Sequence, residues 1–300
     1  MILREKPGPI ELLTAIRGSV LPHIATELLV VMAFSAALVV FDGLVHPLPH
    51  LSATPFATFG IALSLFLGFR NNAAYDRWWE ARKLWGGLVA DLRSLARELE
   101  LFLPDAAARH RQLELCLAFL HLHRLNLRRT KPDSDAEAAI HAARLDLTSA
   151  PHPPCAALDR MSAELAVLHR DGQIDGFGAR ALSARLGSIA LNQAGCERIA
   201  TTPLPYVYSL LIYRTVWLYC MLVPLAMIEP AGWLAPIFVG IVAYVFFGLA
   251  EVTEELAHPF GKTPNALPLD AICRTVEISL APHLGRPAPA PLAPVDFRLD

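Results

Sequence analysis

The side chains of this 300-residue chain that could do chemistry are few and widely spaced. The sequence contains no GxGxxG, no Walker A loop, no HExxH and no GxSxG. Its five cysteines (Cys116, Cys155, Cys196, Cys220 and Cys273) form no CxxC pair and read as reduced thiols. His110, His121 and His123 come nearest to metal-ligand spacing. Residues two apart on a helix point to different faces, however, so these are expected to be surface or interface histidines, with no metal site and no cofactor. Glu251, Glu254 and Glu255 cluster after an apolar run. They read either as a solvated helix end or, if copies of the chain surround an axis, as a ring that attracts cations. Arg214 lies within another apolar run, where a charge is either functional or a paired, snorkelling side chain.

The most informative spacing lies between Gly60 and Phe69. Ile61, Leu65 and Phe69 recur at i, i+4 and i+8, so a helix stacks them as one ridge. Gly60, Ser64 and Gly68 repeat the spacing one position earlier, a stripe of small residues along which another helix can approach closely. Both patterns are common in ordinary membrane-helix packing. Several copies of the ridge around an axis would instead stack apolar rings into a constriction that gates by losing its water.

The elements that must position these residues are apolar helices. Hydrophobic residues make up 54% of the chain and charged residues 18%, against about 25% charged in ordinary soluble domains. Mean hydropathy is +0.40. The excess sits in four stretches: Leu28 to Phe41, Thr54 to Phe69, Pro205 to Ile228 around Arg214, and the charge-free Pro230 to Ala250. A bilayer core of about 30 Å takes roughly 20 apolar residues as helix, so the last two stretches suffice and the first two need polar flanks. Of 26 basic residues, three precede the first stretch, eighteen lie between Arg70 and Arg198, and four follow Ala250, with Arg214 the remainder. The connections Asp42 to Ala53 and Glu229-Pro230 hold none. That sorting follows the positive-inside rule for four spans with both termini cytoplasmic. Net charge is −2, so no basic field invites nucleic acid.

Between the second and third stretches the pattern is helical. Trp78, Trp79, Leu84, Trp85, Leu88, Leu92, Leu95, Leu99 and Leu103 recur close to a 3.6 period, and Leu113 to Leu127 repeats it. The proline-rich stretch from Ala281 to Pro294 reads as an extended tail.

The run from Gly68 to Gly86, Gly-Phe-Arg-Asn-Asn-Ala-Ala-Tyr-Asp-Arg-Trp-Trp-Glu-Ala-Arg-Lys-Leu-Trp-Gly, resembles the signature of the bestrophin family in its bacterial branch. Cys196 to Pro205, Glu254 to Gly261 and Leu267 to Ile272 resemble further family motifs, so the likeness covers about residues 15 to 280. The resemblance implies a homopentameric ion channel with a central pore. It places the family's neck at Ile61, Leu65 and Phe69, the ridge already picked out by spacing, and a second aperture near Phe177. Animal members bind Ca²⁺ through an acidic run after the Pro-Phe-Gly. Here that run is Lys262-Thr-Pro-Asn-Ala266, which lacks its carboxylates, so no Ca²⁺ clasp is expected.

The expected protein is therefore an all-α membrane protein with four transmembrane helices and a large helical cytoplasmic region around a central pore. The expected divisions are 1-22 (cytoplasmic), 23-69 (spans 1 and 2), 70-204 (cytoplasmic helices), 205-250 (spans 3 and 4) and 251-300 (cytoplasmic end and tail). Its expected setting is the bacterial inner membrane, as a pentamer passing small monovalent ions: anions by family, with Na⁺ or K⁺ as the bacterial alternative. Arg70, Asn71, Asn72, Glu251, Glu254 and Glu255 are the candidates beside the pore. The rival reading is a membrane-anchored enzyme or sensor with its site in the helices between residues 70 and 204.

Overall fold

The structure is a computed structural model, and it describes residues 1–3, 8–16, 18–49, 51–147 and 150–300. The three basic residues before the first apolar stretch, Arg4, Lys6 and Arg17, lie outside the described residues. Helices account for nearly all regular structure: α1 (Pro9–Thr14), α2 (Leu21–Leu44), α3 (Ala53–Phe102), α4 (Ala106–Arg128), α5 (Ser134–Ala142), α6 (Pro153–Arg170), α7 (Gly176–Thr201), α8 (Tyr206–Ala231), α9 (Ala235–Ala257) and α10 (Leu269–Leu280). Among the described residues the only β pairing is two isolated bridges, Ile2 with Arg298 and Val295 with Arg298. The chain divides into two compact units, Arg4–Trp78 with Pro203–Pro259, and Met1–Leu3 with Trp79–Thr202 and Phe260–Asp300.

The first unit is apolar. Among the described residues three helical stretches are long and apolar enough to cross a membrane: Leu21–Leu44, Ala53–Phe102 and Tyr206–Ala257. The last, at 52 residues, is not one rod. It breaks at the turn Gly232–Leu234, where Gly232 takes φ 51°, a left-handed region that costs a residue with a Cβ. The chain folds back there, so α8 and α9 pack on each other and α2 packs on both. Pro224 is buried inside a continuous α8. The core of this unit joins Ile24 and Val31 of α2, Leu63 and Leu67 of α3, Val216 and Tyr219 of α8, and Val239 and Phe246 of α9. Tyr219 is its hinge pin, edge-on to Phe59 at 5.6 Å and to Phe246 at 5.3 Å. Outside the core, large apolar side chains such as Leu29, Leu218, Ile237, Ile241 and Val245 stay exposed. Only lipid or other protein surface makes that arrangement stable.

The other unit is built around α4. This helix is buried nearly all round, from Gln112 to Leu127, because α5, α6, α7 and α10 pack on it. The second half of α3 contributes Ala81, Trp85, Leu88, Leu92, Leu95 and Leu99 on one buried face, the 3.6 period read from the sequence. A single 50-residue helix, α3, therefore carries both the apolar stretch and the amphipathic one. It stops before Leu103-Pro104, since a residue preceding proline is pushed out of helical conformation. Asp105 then caps α4 by accepting from Ala107 N at 2.9 Å.

Buried charges in this unit are answered in networks. Asp91 accepts from Arg185 (2.7 Å), Ser188 (2.7 Å) and Asn192 (2.9 Å). Arg128 donates to both Asp270 oxygens at 2.7 Å, and Arg124 reaches Asp270 as well as Asp133. Burial alone would raise the Asp270 carboxyl, but the hydrogen bonds and charges of Arg128 and Arg124 outweigh it and hold it below the usual carboxylate range.

The two histidines expected at a surface are instead inside: His121 is 3% exposed and His123 0%. His121 pairs with Glu277 at 2.7 Å, a partner far away in sequence. His123 lies between Trp85 (5.6 Å) and Phe119 (5.8 Å), and neither of its ring nitrogens finds a hydrogen-bond partner. Loss of solvation, with a smaller push from His152, lowers its pKa to about 3. Below about pH 6.5 the unfolded chain takes up a proton that the folded chain refuses, so stability falls with pH by about 1.4 kcal/mol per unit from this one group. Chemical denaturation of wild type and His123→Met between about pH 6 and 4 checks this. The variant's slope should be shallower by about that amount, and equal slopes would show that the ring is not buried uncharged.

Candidate functional site

The apolar half of α3 presents two faces. Leu63, Leu67, Arg70 and Ala74 are buried against the unit's own core. Ile61, Leu65 and Phe69 point the other way, 71%, 58% and 63% exposed. At 100° per residue, Asn72 and Asp76 continue this outer line, and both are exposed. The ridge expected from spacing is thus a continuous strip that the single chain leaves uncovered. Phe177 belongs to the other unit, on the first turn of α7 behind the Asp175 cap, and is 83% exposed.

Arg70 fixes which face is which. Its side chain is 8% exposed, and its Nη2 donates to Ser209 Oγ of α8 at 2.8 Å and to Glu254 Oε2 of α9 at 2.9 Å. About two turns further on, Arg77 Nε donates to the carbonyl of Ala257, the last residue of α9, at 2.8 Å. A cation on a helix's terminal carbonyls also suits the helix dipole. Together the two arginines lock α3 in rotation against α8 and α9. Arg70 therefore faces away from the ridge, and its partner Glu254 stays half exposed. Asn71 is half-buried beside them, with an amide oxygen that accepts no hydrogen bond.

The stripe of small residues behaves unevenly. A Cβ at Gly60 would meet the Tyr219 hydroxyl at 2.6 Å, so this glycine is required by packing within the chain. Ser64 turns its hydroxyl back onto the carbonyls of Gly60 and Ile61, both at 2.9 Å. Gly68 has nothing within 4 Å of a would-be Cβ. Beside the ridge, a cleft of about 680 Å³ runs between α3 and α8, lined by Phe59, Phe66, Phe69, Tyr208 and Leu211 with Arg70 at its polar end.

The remaining acidic candidates separate. Glu251 lies 3.8 Å from His23 Nδ1 of α2, and Glu255 is 7% exposed. The ligating atoms of His23, Glu251 and Glu255 lie within 4.8 Å of one another. Sequence reasoning missed His23, Ser209 and the carbonyl of Ala257. The i, i+4 spacing of Glu251 and Glu255 was visible, but their partner depends on the pairing of α2 with α9. Arg214 is exposed on α8.

Comparison with known proteins agrees with the all-helical fold. The family model described as Bacterial/Fungal Bestrophin protein matches residues 1–282. A protein of Mesorhizobium japonicum named as a voltage-dependent anion channel-forming protein is 42% identical over 297 residues, covering 99% of this chain and 96% of the relative. An Escherichia coli protein of the same description is 38% identical, with 93% of each covered. The crystal structure of a bacterial bestrophin homologue from Klebsiella pneumoniae superposes with a TM-score of 0.80 at 32% identity, over 88% of this chain and 99% of that one.

Gly60 and Gly68 make opposite demands on a substitution. Gly60→Leu should drive a side chain into Tyr219 and cost roughly 1–3 kcal/mol of overpacking, seen as a lower unfolding temperature of the folded chain dispersed in a mild detergent. Gly68→Leu should leave that temperature unchanged, because nothing in the chain stands in its way. Equal losses at both positions would contradict the rotation of α3 described above.

Proposed function

This chain belongs to the bacterial and fungal bestrophin family, and we propose that it forms an anion-conducting channel in the inner membrane. In this reading copies of the chain, five by the resemblance, surround an axis, and their α3 ridges meet there as rings of Ile61, Leu65 and Phe69. Both termini and the unit containing α4 lie on the cytoplasmic side in this reading, which the sorting of basic residues supports. The observation that carries the reading is the ridge: the chain's own core uses the opposite face of α3 and leaves three large apolar side chains uncovered at the positions of the family's neck.

Rings of this kind bind no ion. They work by holding a narrow passage dry, and widening or wetting them opens it. The cleft beside Phe69 offers space into which its ring can swing when the passage opens. Support for anions comes from two sources. The relatives bear the name of anion channels. The acidic group that would have drawn cations is partly answered within the chain, with Glu254 paired to Arg70 and Glu251 beside His23. Phe177 would form the second aperture. Cation conduction is the alternative, and the observation in its favour is Asp76, an exposed carboxylate on the line of the ridge.

Reversal potential across a planar bilayer in asymmetric KCl decides between the two. The anion reading places it near the chloride equilibrium potential, and the alternative near that of potassium. In the same bilayers Phe69→Ala or Leu65→Ala should raise current severalfold, since each removes bulk from a lumen and not from the core. Unchanged current in a correctly assembled variant would remove the ridge from the conducting path.

A further inference from the structure

We propose that the cleft between α3 and α8 binds one acyl chain of a zwitterionic phospholipid, with the headgroup at Arg70 and Glu254. The cleft holds about 680 Å³, and its walls belong wholly to the apolar unit. On α3 it runs from Phe59 to Ala73, fourteen residues of helix or about 21 Å. That exceeds the ~15 Å depth of one leaflet's hydrocarbon, so a chain entering at one end lies in the cleft along its length. Phe66, Tyr208 and Leu211 are exposed along it, so it opens onto the surface that the unit presents to lipid. Apolar walls facing a void forfeit their contacts, and an acyl chain restores them.

The two ends of the cleft differ. At one end Thr215 turns its hydroxyl back onto the Leu211 carbonyl at 2.6 Å, which leaves apolar side chains such as Phe59 and Leu63 as the lining. Arg70 stands towards the other end, where the apolar stretch of the sequence closes. Its side chain is nine-tenths buried. Nη2 is held by Ser209 and Glu254, but Nε donates to nothing. A buried guanidinium with an unused donor calls for an acceptor, and a phosphate or ester oxygen supplies one. Glu254, the partner of Arg70, keeps half of its side chain exposed. A cation and an accessible carboxylate side by side complement a head that carries phosphate and ammonium together. A purely anionic head would meet Glu254 and Glu251, which border Arg70 in the adjoining pocket, with no charge of its own to offset them.

A chain seated in the cleft also takes up the space beside Phe69. On the channel reading proposed above, it then holds that ring in the passage. Binding itself does not rest on that reading, and its failure would leave the neck standing.

Native mass spectrometry tests the proposal on the full chain, delipidated in detergent and mixed with micromolar phosphatidylethanolamine or phosphatidylglycerol. Wild type should retain one phosphatidylethanolamine per chain and hold it about fivefold better than phosphatidylglycerol. Ala62→Trp puts bulk into the cleft from an exposed position outside the core. It should lower the retained fraction roughly tenfold, while Ile241→Trp, on the exposed apolar surface of α9, should not. Glu254→Gln adds no bulk and should erase the preference between the two lipids. No retention by wild type, equal retention in wild type and Ala62→Trp, or a preference unchanged in Glu254→Gln would each overturn the proposal. Loss of the oligomer in Ala62→Trp alongside either of the first two results would show that a second copy covers the cleft instead.

Discussion

A guanidinium inside an apolar helical bundle must be answered by partners on the spot, and the rotation of α3 follows from how Arg70 is answered. Ser209 and Glu254 supply a hydroxyl and a carboxylate from two different helices. A charge-assisted pair of this kind is directional, so it sets more than a distance. With Arg70 turned inward, Leu63 and Leu67 must enter the core, and Ile61, Leu65 and Phe69 must leave it. Arg77 on the last carbonyl of α9 repeats the lock nearby. The exposed ridge is therefore a consequence of where the helix places its charge, not only of where it places its oil.

The two units solve opposite problems. The apolar unit gains little from hiding its outer side chains from water, because lipid is as apolar as they are. It depends on close approach and ring contacts instead. Gly60 admits the Tyr219 hydroxyl, and a Cβ at Gly240 would meet Met32 Sδ at 2.8 Å. The unit around α4 has an ordinary core of leucine and tryptophan but embeds carboxylates and guanidinia in it. Asp91 and Asp270 each bring distant helices to one point. Networks of this kind are worth little as net energy but costly to break, since a lost partner strands a buried charge. α3 serves both units with one uninterrupted helix.

Much of this was legible in the sequence. The four apolar stretches, the sorting of basic residues and the spacing of Ile61, Leu65 and Phe69 needed only helical periodicity and the cost of charge in lipid. The resemblance carried by Gly68 to Gly86 pointed to the same three residues as the expected neck. What escaped were pairings set by tertiary contact. Nothing local says that Arg70 should meet Glu254, 184 residues away, or that His23 faces Glu251. His121 and His123 look like surface residues when helical faces are counted alone. They are buried because α4 is wrapped on all sides, and a lone amphipathic pattern does not report that. The continuity of α3 was hidden by the change from an apolar to a charged composition at Arg70, which alters the surroundings of a helix but not its backbone.

The central claim is that one face of α3 lines a watery path. Cysteine substitution tests it most directly, with a charged, membrane-impermeant thiol reagent applied to channels conducting in a bilayer. Wild type provides the background from Cys155, the exposed native cysteine. Leu65→Cys should react from the aqueous side and lose its current, while Ile241→Cys, exposed on the apolar surface of α9, should stay unmodified. A conducting Leu65→Cys channel as inert as Ile241→Cys would place the ridge in lipid and contradict the account.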